Sequence, residues 1–260
     1  MSYLYPDKIR SRTFVHFVEY HPVLESTNSL AMELREELIR RAPALVLTDE
    51  QTAGRGRGSN RWWATTGALT FSLVLDAERH GPSPEKCSLV ALAAGLAVNN
   101  LVTDLIADRD VRTKWPNDVL VADQKICGIL TEQQATDTGN VIVIGIGVNV
   151  NNSLTSAPHD VQQRATSVFD VTGISHDLTD VLCRLLHHLE ACLTALRDDS
   201  VSLVQRFADC HRLTGTRITV DTPQGPCEGT CTGIGPNGSL QLESNGVTHE
   251  ILAGSVLSFE

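Results

Sequence analysis

Apolar and polar positions alternate differently in the two ends of the chain. "FVHFVEY", Phe14 to Tyr20, has a period of two, which predicts a half-buried strand. In "STNSLAMELREELIRRA", Leu30, Leu34 and Leu38 form one stripe and Ser26 or Thr27 stands as N-cap, which predicts a helix. "ALVLTDE" predicts a short buried strand, and "ALTFSLVL", Ala68 to Leu75, a strongly apolar one. Ser83-Pro84 has the cap-then-proline order of a helix start, and "CSLVALAAGLAVNNLV" is apolar nearly all round, which predicts a central buried helix. "VRTKW", "DVLVA", "KICGILTEQQ" and "VIVIGIGVNV" follow as strands, then "LTDVLCRLLHHLEACLTAL" and "VSLVQRFADCHRL" as helices. From Thr214 short alternating runs are separated by Pro-Gln-Gly, Pro-Asn-Gly and Ser-Asn-Gly turns. That texture predicts a small antiparallel, barrel-like domain of about 45 residues. The expected division is therefore 1–213 and 214–260.

Composition narrows the classes. Hydrophobic residues are 42% and charged residues 20% of 260, the balance of a folded globular chain. The 31 acidic against 21 basic residues give a formal net charge of −10, which argues against a general nucleic-acid surface but not against a local basic pocket. No apolar run of the roughly 20 residues of a membrane span is expected, and "MSYLYPDKIRSRTF" lacks the apolar core of a signal peptide. The expectation is a cytoplasmic protein with no membrane and no DNA partner. Seven scattered cysteines without a C-x-x-C pair fit reduced thiols. Cys227 and Cys231, the close pair, would stand about 13 Å apart on a strand, too far to share a metal.

Three stretches carry candidate chemistry. "QTAGRGRGSNRWW", Gln51 to Trp63, concentrates arginine, glycine and tryptophan in an acidic chain. Gly54, Gly56 and Gly58 permit close approach of backbone to a ligand, and successive N–H groups can form an anion-binding concavity. Arg55 and Arg57 add forked cations suited to carboxylate or phosphate, and Trp62 and Trp63 add flat surfaces. A solvated Arg/Gly loop remains the competing reading. "KWPNDVLV" sets Lys114 beside a Pro-Asx corner, where a lysine is held rather than swinging free, although a plain hairpin has the same look. In "IGIGVNVNN", Gly145 and Gly147 leave space on one strand face and Asn149 shares their parity; close packing alone would also explain them.

"STN", "QTAGRGRG…RWW", "KWPNDVLV…KICGIL", "IGIGVNVN" and "ATS" occur together in one order. In this the chain resembles the bacterial biotin protein ligases (biotin–[acetyl-CoA carboxylase] ligases), from about residue 14 to 260. The resemblance implies an α+β fold: a mixed or antiparallel sheet with helices, class II synthetase-like, plus a small C-terminal SH3-like β-barrel. It implies activation of biotin by MgATP to biotinyl-5′-AMP and transfer to one lysine of a biotin carboxyl carrier protein, such as a subunit of acetyl-CoA carboxylase.

Residue by residue, the resemblance assigns Ser26, Thr27 and Gln51 to the biotin ureido ring and places Gly128, Gly145 and Gly147 along the valeryl chain. Arg57 and Lys114 fall to the carboxylate and α-phosphate as the catalytic cations, and Arg55 orders the loop and contacts ligand. Gly54, Gly56, Trp62, Asn117 and Asn149 fall on the nucleotide side, with Trp62 beside adenine. Lys114 and Asp118 are the candidates for a general base. Asp118 or the substrate phosphates would hold Mg²⁺; no dedicated metal cluster is visible. Many relatives carry more basic residues after "GRGR", whereas this chain reads Gly58-Ser59-Asn60-Arg61, so no role passes to 58–60. Some relatives begin with a DNA-binding helix-turn-helix; a first strand near Phe14 implies a ligase without it. Lipoate–protein ligase, a non-enzymatic biotin sensor and an RNA-binding module are the alternatives. An exposed edge at "VIVIGIGVNV" would support pairing with the carrier or a homodimer.

Overall fold

The computed structural model describes residues 4–107 and 109–259, so the outer ends of the two expected domains lie outside the described residues. A short helix that the alternation did not foretell, α1 (Pro6–Arg12), precedes β1 (Phe17–Leu24), which starts at Phe17 rather than Phe14. The helix expected as one piece is broken into α2 (Thr27–Glu33), α3 (Arg35–Leu38) and a 3₁₀ turn at Ile39–Arg41. Leu34 lies at φ −87°, ψ 12°, and the Arg35 guanidinium donates to the freed Met32 carbonyl at 2.8 Å. β2 (Ala44–Gln51) and β3 (Ala68–Asp76) follow, then α4 (Val90–Leu105) behind a 3₁₀ turn at Pro84–Leu89. Next come β4 (Val111–Lys114), β5 (Asp118–Val121), β6 (Gln124–Thr136) and β7 (Gly139–Asn149). Four helices complete this part: α5 (His159–Arg164), α6 (Val168–Thr172), α7 (Leu178–Asp198) and α8 (Ser200–Asp209).

The strands form one seven-stranded sheet in the order β1-β2-β3-β7-β6-β5-β4, parallel between β1 and β2 and antiparallel elsewhere. β7, the "VIVIGIGVNV" strand, lies between β3 and β6 and is paired on both sides, so the edge expected there does not exist. Its continuous apolar run reflects that central place. Leu69, Phe71, Leu73 and Leu75 of β3, with Ile142, Ile144, Ile146 and Val148 of β7, bury one face against α4, α7 and α8. Each such side chain contributes roughly 1.5–3 kcal/mol by leaving water. Pro84–Leu105 is, contrary to expectation, long and apolar enough by composition to cross a membrane. Here 67% of its apolar stretch is buried within the molecule, as in a central core helix.

The other sheet face is divided along the strands. Val46, Val74, Val141 and Val143 pack under Ala31, Leu38 and Ile39 of the α2–α3 segment. Further along, Thr48, Thr70, Gly147, Gly128, Asp118 and Lys114 are lateral neighbours across β2, β3, β7, β6, β5 and β4. Small and polar residues in that row leave a cleft instead of a packed layer.

The C-terminal strands are β8 (Arg217–Thr222), β9 (Gly225–Ile234), β10 (Leu240–Ser244), β11 (Val247–Ile251) and β12 (Ser255–Phe259). They form an antiparallel sheet in the order β11-β10-β9-β8-β12, which leaves β11 and β12 unpaired with each other. The expected barrel is therefore not closed. So small a sheet cannot bury much surface alone, and Trp115 from the β4–β5 corner fills its core beside Leu213, Ile218, Val220, Leu240 and Leu242. All seven cysteines are free thiols, and burial pushes the Cys192 thiol up to about 11.

Candidate active site

Gln51 to Gly67, between β2 and β3, is an ordered hairpin rather than a solvated loop. Its legs are bridged at Gln51–Ala64 and Arg55–Arg61. The Gly56 N–H donates to the Asn60 carbonyl at 2.9 Å, the Asn60 N–H to the Arg57 carbonyl at 3.1 Å, and Gly58 turns the tip at φ +60°. The Trp62 N–H donates to the Gly54 carbonyl at 3.0 Å, and a methyl group on Gly54 would collide with the Trp62 carbonyl. Glycine at 54 thus answers to close approach of the two legs.

The hairpin roofs a cleft of about 730 Å³, and every residue assigned to the site by resemblance lines it except Gly54. At one end, the Thr27 N–H and hydroxyl donate to Gln51 Oε1 at 2.7 and 3.2 Å. That fixes the carboxamide with its NH₂ group turned away from Thr27. Ser72 Oγ lies 2.8 Å from Thr27 Oγ1 and 2.6 Å from Asn28 Oδ1. Ser26 caps α2 through the Ser29 N–H at 3.4 Å.

The glycines of β7 make room for the protein's own side chains. A methyl on Gly145 would strike the Asn28 carboxamide, and one on Gly147 the Trp62 indole. Trp62 therefore lies on the sheet floor against Gly147 and Gly128. Its Nε1–H is buried and unpartnered, as is the Thr70 hydroxyl, and Thr70 pairs with Gly147 across the strands. Two buried polar atoms without partners on a cleft floor are suited to hydrogen-bonding a ligand.

The cations gather at the other end. Arg57 is half-buried and donates from Nη1 to the Gly254 carbonyl at 2.9 Å; burial lowers its pKa and nearby Asp118 opposes that shift. Burial also lowers the Lys114 pKa, opposed by Asp118 and reinforced by Lys125 and Arg164. Lys114 Nζ sits 4.9 Å from the centre of the Phe259 ring. Asp118 is paired with Lys125 at 2.6 Å. Arg55 turns away from this group and forms a forked ion pair with Glu132, at 2.8 and 3.3 Å.

Two amides that the resemblance assigns to the nucleotide are engaged with backbone. Asn117 Nδ2 donates to the Ile129 carbonyl at 2.6 Å, and Asn149 Nδ2 to the Thr166 carbonyl at 3.0 Å. Among the described residues no group of three or more His, Cys, Asp or Glu is placed to hold a metal. Asp118, the candidate Mg²⁺ ligand, is paired with Lys125.

Sequence reasoning passed over Thr70, Lys125, Glu132, Arg164 and Phe259. Thr70 and Ser72 did leave a trace, as polar residues two apart in an otherwise apolar strand. Phe259 left none, since it reaches Lys114 from the far end of the chain.

The family described as "Biotin/lipoate A/B protein ligase family" matches residues 20–149. The bifunctional ligase/repressor BirA of Bacillus subtilis is 34% identical over 231 residues, which cover 87% of this chain and 69% of that protein. The biotin–[acetyl-CoA-carboxylase] ligase of Mycobacterium tuberculosis is 34% identical over 216 residues, covering 82% and 78%. The biotin protein ligase from Aquifex aeolicus, solved in complex with biotin and ATP, has the same fold with a TM-score of 0.75 at 24% identity, over 94% of this chain and 98% of that one. The matched family model and two relatives at 34% identity, with the shared architecture, lead to one conclusion: the chain belongs to the biotin/lipoate A/B protein ligase family.

Proposed function

We propose that this ligase activates biotin with MgATP and transfers the biotinyl group to a lysine of a biotin carboxyl carrier protein. The observation that carries the reading is a pair of half-buried cations, Arg57 and Lys114, in a cleft whose nearby carboxylate, Asp118, is already paired with Lys125. Burying unpaired charge is costly, so such a cleft in a chain of net charge −10 favours an anionic occupant.

In the first step the biotin carboxylate attacks the α-phosphorus of ATP, the α–β bridge breaks and pyrophosphate leaves. Two anions must meet, and Arg57 and Lys114 offset their repulsion and the charge that grows at phosphorus. Each hydrogen bond to a charged group contributes roughly 1.5–3 kcal/mol. Gln51, with Oε1 held by Thr27, offers its NH₂ group to the ureido carbonyl. Ser26 and Thr27 complete the polar end that rejects analogues lacking the ureido group. In the second step the carrier amine attacks the acyl carbonyl, AMP leaves and a proton is lost from nitrogen. Mg²⁺ would be held by the triphosphate of the substrate and would offset part of its charge. The hairpin shields the mixed anhydride from water.

Incubation with biotin, MgATP and a purified carrier domain should add one biotinyl group to one carrier lysine, read by mass spectrometry. Carrier left unmodified by folded enzyme would contradict the reading.

A further inference from the structure

We propose that Glu132 is a positioning residue, which clamps the Arg/Gly hairpin over the cleft through Arg55 and so sets how long an acyl-adenylate is retained. Glu132 stands on β6 opposite Val143 of β7, on the sheet face that carries the cleft. Its Oε1 accepts from Arg55 Nη2 at 2.8 Å, and its Oε2 from Arg55 Nη1 at 3.3 Å and from Asn28 Nδ2 at 2.8 Å. Arg55 Nη1 also lies 3.5 Å from Ser29 Oγ. One carboxylate therefore joins the root of the hairpin, the first turn of α2 and the central sheet. Because Arg55 is bridged to Arg61, fixing one leg fixes the other.

The clamp suits the sequence it holds. Glycines at 54, 56 and 58 give the hairpin a large gain in backbone freedom on opening. Beyond Arg55 the tip is held by two internal backbone hydrogen bonds and by Arg57 on Gly254. A partly exposed ion pair adds little to global stability, so its effect belongs to local opening of this segment. Forked geometry and the third donor, Asn28, make this pair more directional than a lone lysine contact. It also accounts for an arginine in the loop that does not face the other cations.

The functional half of the proposal rests on the adenylate reading; the structural half does not. The test compares wild type with Glu132→Gln, Arg55→Gln and the double variant. Two rates are measured: tryptic cleavage after Arg57 and Arg61, sites common to all four proteins, without ligand, and release of preformed biotinyl-AMP. Each single substitution should raise both rates about tenfold, and the double variant should be no faster than either single one, as expected for two ends of one interaction. Arg55→Gln alters the exposed partner and keeps the test sound if Glu132→Gln folds poorly. Wild-type rates in the single variants, or effects that multiply in the double, would overturn the clamp. If wild type forms no adenylate, the ligase reading fails, while the cleavage rates still decide whether the clamp exists.

Discussion

Lys114 shows how one residue sets stability against chemistry. Its ammonium is half-buried beside Phe259, and that loss of water lowers its pKa from the usual lysine value. A lysine with a lowered folded pKa leaves the unfolded chain holding more protons between the two values, so its cost is full at neutral pH and fades as pH rises through that window. Lys114→Met should therefore raise the melting temperature at pH 7 by about 2–4 °C, while adenylate formation falls by at least about 100-fold. A calorimetric scan beside a pyrophosphate assay checks both. Arg57→Gly removes the guanidinium that lies on Gly254, and biotinyl-AMP should dissociate about 10- to 100-fold faster. Free adenylate in the medium would then label lysines on bystander proteins; tight retention would remove Arg57 from this role. Gly147→Ala pushes the Trp62 indole off the sheet floor at a cost of about 1–3 kcal/mol, visible as a shift in tryptophan fluorescence and a lower urea midpoint. Arg57 and Lys114 stood out by residue type as candidate cations, and only the resemblance gave them roles. The reason for Gly145 was not legible, because Asn28 reaches it from another element.

At the scale of elements, the β4–β5 corner ties the two sheets together. The Trp115 N–H donates to His211 Nε2 at 3.3 Å, its indole donates to the Gly238 carbonyl at 3.0 Å, and His211 Nδ1 lies 3.3 Å from Thr214 Oγ1. Burial pushes His211 down to about 4. Its folded pKa is below the unfolded value of about 6.5, so its contribution is complete above pH 6.5 and is lost as pH falls toward 4. The total is about 3 kcal/mol. His211→Gln should flatten the urea-midpoint profile between pH 6.5 and 4, and an unchanged slope would place the titration elsewhere. Element types were readable because period-two alternation and apolar stripes at helical spacing report burial directly. Strand order was not: that β7 lies between β3 and β6 depends on pairing across long loops, which no local pattern encodes. The break in the α2–α3 segment also escaped, since its leucine stripe continues across Leu34 unchanged.

For the whole molecule, the C-terminal sheet is both supported by the cleft and part of it. Trp115 fills its core, Gly254 holds Arg57, and Phe259 covers Lys114. Trp115→Ala should cost about 3–5 kcal/mol and weaken adenylate retention together with stability. Trp115→Phe, which loses the Gly238 hydrogen bond and keeps most of the packing, should cost about 1 kcal/mol. An open sheet that borrows a tryptophan was foreshadowed by its length, too short to build a full core, although the turn pattern alone suggested a closed barrel. On the proposed function, the cleft joins a carboxylate to a nucleotide. The most direct test is pyrophosphate release from MgATP by purified protein given biotin, lipoate or neither. Release with biotin alone is predicted. Release with lipoate instead would contradict the ureido end at Ser26, Thr27 and Gln51, and no release with either acid from folded protein would contradict acyl-adenylate formation in this cleft.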